Sequence, residues 1–195
     1  MQEVLIEKVV VNMGIGSDPE KMKRGEQIIQ LITERKPVKT HGTKRIPDWG
    51  VRPGVKLGLK VTLRGEKAMA FLKRTLIAKE NRINKKSFDN TGNFGYGIKE
   101  HIDLPNIKYD PKLGIIGFDV LVALKKKGYR IKERKIRKTK VGKKQRVTRD
   151  EAIEFVKGLG VEVAWVMIKQ ARPWIENQKN ARCAVHKKHL LENTI

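Results

Sequence analysis

Apolar and polar positions along the chain fall into two distinct periods. Val4 to Met13 (VLIEKVVVNM) is dominated by β-branched residues, the composition of a strand. After it, Met22, Gly25, Ile28, Ile29 and Ile32 recur at steps of three and four and predict a helix reaching about Arg35. Asp18 is placed as its N-cap with Pro19 in the first helical position, and Pro37 stops it. PVKTH follows as a short strand, and GTKRIPDWGVRPG carries the Gly, Pro and Asp of a loop. In LGLKVTLRG the alternation is clean. Leu57, Leu59, Val61 and Leu63 take one face, and Gly58, Lys60, Thr62 and Arg64 the other.

Glu66 to Glu80 reads as a second helix with Ala68, Phe71, Leu72, Thr75 and Leu76 inward. GNFGYGIKEH reads as a Gly-loosened strand and GIIGFDVLVALK as a strong central one. TRDEAIEFVKGLG is a third helix, with Thr148 and Glu151 spaced as a capping box and Gly158 or Gly160 near its end. The order β-α-β-β-α-β-β-α, with short links between neighbouring strands, predicts an α+β fold. It has one mostly antiparallel sheet of about five strands, helices on one face and the other face open.

Charge changes this picture. The 195 residues carry a formal net charge of +23, and a folded chain bears the self-repulsion of such an excess most readily beside a polyanion. More than half of the excess lies in residues 125–149 (KKKGYRIKERKIRKTKVGKKQRVTR), with fourteen basic side chains against Glu133 alone. Tyr129, Ile131, Ile136 and Val141 interrupt the run, a predicted strand leads into it and a capped helix leaves it. It therefore reads as an arm or β-ribbon of a folded domain rather than a tail. The open sheet face would add Lys60, Thr62 and Arg64, and from the first strand Lys8 and Asn12. Cations meet phosphate, and Asn and Thr hydrogen-bond sugars and base edges. Without the charge, a solvated sheet face would explain the same pattern.

Other motifs suggest chemistry the residues do not complete. GNFGYGI resembles an RNA-recognition motif whose aromatics stack on bases, but Asn93 stands where that motif has Gly. GIGSDPEKMKRG resembles a dinucleotide-binding turn, but its third Gly is not in place. Cys183, His186 and His189 are spaced C-x2-H-x2-H and lack a fourth metal ligand. His41 and His101 have no nucleophile or carboxylate arranged beside them. HGTKRIPDWG places Lys44, Arg45 and Trp49 on a loop tip, either as a contact or as a mobile loop with one packed Trp. A single cysteine, an N-terminus without a basic leader and the lack of a bilayer-length apolar run point to an intracellular chain with no membrane partner.

Three segments in order, EKVVVNMGIG, KPVKTHGTKRIPDWGVRPGVKLGLKVTLRG and GNFGYGIKEHIDLPNIKYDPKLGIIGFDV, resemble the universal large-subunit ribosomal protein five family. The basic run is similar to the archaeal and eukaryotic form. The resemblance spans about residues 2–163 and implies a structural component of the cytoplasmic ribosome, without enzymatic activity or cofactor. It implies that the open sheet face, with Lys8, Asn12, Lys60, Thr62 and Arg64, meets 5S rRNA in the central protuberance. The arm, with Lys125, Lys126, Lys127, Arg130, Arg134, Arg137 and Lys138, would add rRNA contacts along the backbone of a folded RNA, and large-subunit rRNA is a further implied partner. Lys39, Thr40, Lys44 and Arg45 would lie in a loop approaching the peptidyl-site tRNA. Small-subunit protein thirteen and neighbouring central-protuberance proteins are the implied protein partners. Residues 1–163 then form one RNA-binding domain, and 164–195 an extension without counterpart. A free RNA chaperone or processing factor and a nucleotide-dependent enzyme using GIGSDPE are the competing functional classes.

If six phosphates are neutralised, log K for RNA should fall by roughly 4–5 per decade of salt. Filter binding across a salt series measures that slope; a flat dependence would contradict a phosphate-led interface.

Overall fold

A computed structural model of the chain describes residues 3–105 and 107–164. Its elements in order are β1 (Val4–Gly14), α1 (Pro19–Thr33), β2 (Val38–His41), β3 (Lys56–Leu63), α2 (Glu66–Ala78), β4 (Arg82–Asn84), β5 (Phe94–Ile98), β6 (Phe118–Lys126), α3 (Arg130–Glu133), α4 (Arg149–Gly158) and β7 (Glu162–Ala164). Five strands form an antiparallel sheet in the order β2-β3-β1-β6-β5, so the first strand lies in the middle. β4 and β7 pair in parallel as a separate two-stranded unit.

The alternation read from the sequence determines which side is covered. Across the sheet, Leu59 pairs with Met13, Val61 with Val11, and Leu63 with Val9. Val9 and Val11 continue to Val122 and Val120, which meet Phe94 and Tyr96. All of these side chains are buried on one side, beneath α1, α2 and α4. In β1 a bulge at Glu7 shifts the register between Ile6 and Lys8. The extra residue lets Ile6 and Val9, three apart, both turn to the core.

The helices end for local reasons. In α1, Met22, Gly25, Ile28, Ile29, Ile32 and Thr33 are buried, and Glu34 closes the helix in the left-handed region with its N–H on Gln30 O. Asp18, expected as a side-chain cap, makes no capping hydrogen bond; its carboxylate pairs instead with Lys21 Nζ at 2.9 Å. α2 buries the five residues its period predicts. Its Thr75 hydroxyl donates to the Leu72 carbonyl (2.9 Å), so the Tyr96 hydroxyl, 2.7 Å away, must donate to Thr75. Burial pushes the Tyr96 phenol well above its ordinary range. Thr148 and Glu151 form the expected capping box of α4, in both directions.

The Asp89–Gly92 turn before β5 runs close to the return of the basic segment. Gly92 has φ +75°, and a Cβ there would come within 2.5 Å of Val147 Cγ1. Val147 is buried, so it has little room to withdraw. Gly92→Ala should therefore cost about 1–3 kcal/mol, seen as a lower urea midpoint at unchanged slope. Gly142→Ala, where nothing lies within 4 Å of the added methyl, should leave that midpoint within experimental scatter.

Candidate nucleic-acid interface

Because the helices cover one parity of the strands, the other parity forms an uncovered face. Reading across it, Lys60 of β3 lies opposite Asn12 of β1, and Asn12 opposite Asp119 of β6. Thr62 lies opposite Val10, and Val10 opposite Leu121. Lys8 pairs with Ala123, Leu5 with Lys125, and Thr40 of β2 with Gly58. Arg64 is exposed one residue beyond the end of β3. The predicted set Lys8, Asn12, Thr40, Lys60, Thr62 and Lys125 thus shares one surface.

Sequence reading missed two properties of that surface. It is low in relief, because Gly14, Gly58, Gly95, Gly97 and Ala123 hold positions on it with at most a methyl group. A Cβ at Gly58 would meet Met13 O at 2.6 Å, so the flatness is enforced there by the neighbouring strand. It is also mixed in character: Val10, Val38 and Leu121 give it exposed or half-buried apolar patches, and Asp119 gives it one carboxylate. The alternation in FDVLVALK carried the signal for Asp119 and Leu121.

Two predicted contacts face the other way. Lys126 is the last residue of β6 with core parity and is only 5% exposed. Its ammonium donates to Glu151 Oε1 at 2.6 Å. Lys39, opposite Leu59, pairs with Glu26 of α1 at 3.0 Å. Both cations are neutralised by helix carboxylates, and we remove them from the candidate interface.

The basic segment is not the β-ribbon that its position suggested. After β6 it makes the single helical turn α3, reverses at Arg137 (φ 51°), and returns with Thr139 N–H on Ile131 O at 3.2 Å. Val141 and Val147 are buried and hold the return against the domain. Its ends are joined: Lys126 pairs with Glu151, Lys127 with Glu3, and Gln145 Nε2 donates to Lys127 O at 2.8 Å. Lys127, Arg130, Arg134, Arg137 and Lys138 are exposed along this closed excursion.

The β2–β3 loop is internally hydrogen-bonded. Ile46 and Val51 exchange both backbone bonds (2.9 and 3.1 Å), and Gly42 and Gly54 tie its base. Trp49 sits at its tip 78% exposed, so the expectation of a packed Trp is overturned. Lys44 and Arg45 are exposed beside it.

Two competing readings close here. Phe94 and Tyr96 of GNFGYGI are buried on the helix-covered side, where no base can stack on them. In GIGSDPE, the N–H groups of Ile15 and Gly16 are both spent on Leu57 O (3.1 and 2.9 Å), leaving neither for a phosphate. Cys183, His186 and His189 lie outside the described residues, as does all of the expected extension except Ala164, which ends β7. Among the described residues no helix is long and apolar enough to cross a membrane.

Comparison with known proteins gives two family matches: "Ribosomal protein L5" over residues 1–52 and "ribosomal L5P family C-terminus" over residues 56–163. Among individual relatives, the chain is similar to the "Large ribosomal subunit protein uL5" of Pyrobaculum aerophilum, 49% identical over 164 residues. That alignment covers 84% of this chain and 92% of the relative. The protein of the same name from Archaeoglobus fulgidus is 45% identical over 163 residues, covering 84% of this chain and 91% of the relative. The one from Nanoarchaeum equitans is 42% identical, covering 84% and 97%.

The Lys126–Glu151 pair also sets a pH response. The hydrogen bond from Lys126, then the Thr148 N–H, holds the Glu151 carboxyl below its ordinary value of 4.5. A depressed folded-state value means that this stabilisation is complete above about pH 4.5 and is lost as the pH falls through the folded value. Glu151→Gln should destabilise the chain at pH 7, where Lys126 loses its counter-charge, and should flatten the acid limb of a stability-versus-pH curve. Chemical denaturation from pH 7 to pH 3 checks both; parallel curves would show that the pair contributes nothing.

Proposed function

The chain belongs to the ribosomal protein L5 family in its archaeal form, a structural and non-enzymatic constituent of the large ribosomal subunit, and from that footing we propose that its uncovered sheet face and closed basic arm hold 5S rRNA in the central protuberance. The observation that carries this reading is the continuity of the two surfaces. The parity that leaves Lys8, Asn12, Lys60, Thr62 and Lys125 outside the core leads at the end of β6 straight into the arm. The arm's Lys127, Arg130, Arg134, Arg137 and Lys138 then extend the cationic track toward large-subunit rRNA.

The mechanism is charge neutralisation on a preshaped support. Lysines and arginines replace the counterions of packed phosphates. Asn12 and Thr62 add hydrogen bonds to sugar or base edges. The glycine positions let an RNA backbone come close to the sheet without meeting side chains. No bond is made or broken.

The β2–β3 loop is the proposed approach to the peptidyl-site tRNA through Thr40, Lys44 and Arg45, with Lys39 held back on α1. Its hydrogen-bonded base supports the reading, since a contact loop works best when its shape exists beforehand. Small-subunit protein thirteen and neighbouring central-protuberance proteins complete the proposed partners, and the cytoplasmic ribosome is the proposed location. Residues 1–163 are the proposed RNA-binding domain, with 164–195 an appended segment.

A free RNA chaperone would bind many RNAs alike, whereas this reading demands preference for 5S rRNA. The double variant Lys60→Ala/Arg64→Ala should weaken 5S rRNA binding roughly tenfold and lower the salt slope by about 1–2, one increment per lost phosphate contact. Both side chains are exposed, so the unfolding midpoint should not move. Unchanged affinity at physiological salt, or equal affinity for unrelated RNAs of the same length, would remove the sheet face from the interface.

A further inference from the structure

Between the arm and the lower half of the sheet lies a cavity of about 690 Å3. A duplex resting on the flat sheet face does not fill such a hollow, so its lining indicates a different kind of ligand. The rim carries Lys8, Lys132, Lys138, Lys140 and Arg146 against one carboxylate, Glu7. Among the described residues none of these five cations makes a salt bridge. The floor is different: Ala123, Leu124 and Val141 are apolar, with the half-buried ring of Tyr129 beside them.

One wall carries a preset acceptor. The Thr91 hydroxyl donates to Asp89 Oδ2 at 2.6 Å, so toward Asn93 Nδ2, 2.9 Å away, it can only accept. That fixes the orientation of the Asn93 amide. Its carbonyl oxygen, without a hydrogen bond among the described residues, is left to accept from a ligand. Cations on the rim, an aromatic ring beside an apolar floor and one oriented amide acceptor are complementary to phosphate, nucleobase and exocyclic amine respectively. The volume suits one nucleotide with its flanking phosphates. The walls are held in place, because Val141 is buried and the arm's ends are tied by Lys126–Glu151 and Gln145–Lys127.

We infer that this cavity receives a single everted nucleotide of a bound RNA, one whose base carries an exocyclic amine. The inference rests on the reading above that the chain binds RNA, and it adds a base-selective site to what would otherwise be phosphate binding. Unstacked bases are where proteins read RNA sequence, since an A-form duplex hides its informative major-groove edges in a deep, narrow groove.

The test uses the full-length protein and two RNA hairpins, identical except that one has a single bulged 2-aminopurine. Wild type should bind the bulged hairpin about tenfold more tightly, within the range one stacked base contributes. Tyr129→Leu, which removes the aromatic ring and no charge, should abolish that preference while leaving affinity for the fully paired hairpin unchanged. Asn93→Ala should reduce the preference independently, which guards against a folding defect in the first variant. Lys60→Ala, outside the cavity, should weaken both hairpins alike. Equal wild-type affinity for the two hairpins, or a preference that survives both cavity variants, would overturn the site alone. Failure to bind either hairpin while 5S rRNA is still bound would likewise overturn the site alone, and failure to bind 5S rRNA as well would overturn the RNA-binding reading and this site with it.

Discussion

The structure depends on one steric fact: successive side chains of a strand point to opposite faces. α1, α2 and α4 cover one parity of β1, β3 and β6, and burying that side supplies the hydrophobic stabilisation of the domain. Everything of the other parity is then outside by necessity. Lys8, Asn12, Lys60 and Thr62 share a surface because their neighbours along the strands are core residues. The bulge at Glu7 shows how strict the bookkeeping of parity is. Without its extra residue, Ile6 and Val9 could not both reach the core.

The basic arm obeys a second constraint. Many like charges in a short span repel, and such a run is ordinarily disordered. Here the run is closed rather than stiffened. Its two ends are joined through Lys126 and Glu151, Val141 and Val147 fasten its return to the domain, and Arg137 takes the left-handed conformation at the reversal. Glu151 serves twice, since the carboxylate that receives Lys126 also caps α4 by accepting from the Thr148 N–H at 3.0 Å. Sheet, arm and last helix therefore meet at one side chain.

Most of the scaffold was legible because its periods are long enough to see. The buried sets of α1 and α2, the alternation of β3 and the capping box of α4 all follow from residue spacing. β4 and β7 were not legible: three residues each give no period, and their pairing joins positions about eighty apart. Lys126 was taken as outward with the rest of the basic run, although counting parity from Leu124 turns it inward. Lys39 came with the loop that the resemblance implied, and its register opposite Leu59 joins two strands and has no signal in the sequence. The arm's path and the cavity beneath it depend on where two small apolar residues, Val141 and Val147, come to rest, and composition does not reveal that. The flatness of the open face was visible as glycines, but their meaning emerged only when Gly58 and Gly97 were seen on the same side of different strands.

The central position of β1 has a consequence for timing. This strand pairs on one edge with β3 and on the other with β6, so Val4 waits for Lys126 before its neighbour exists. During synthesis one edge of this middle strand stays bare until residues 118–126 have been made. The uncovered face gains its β6 and β5 part only after that point, and the basic arm follows it in the chain.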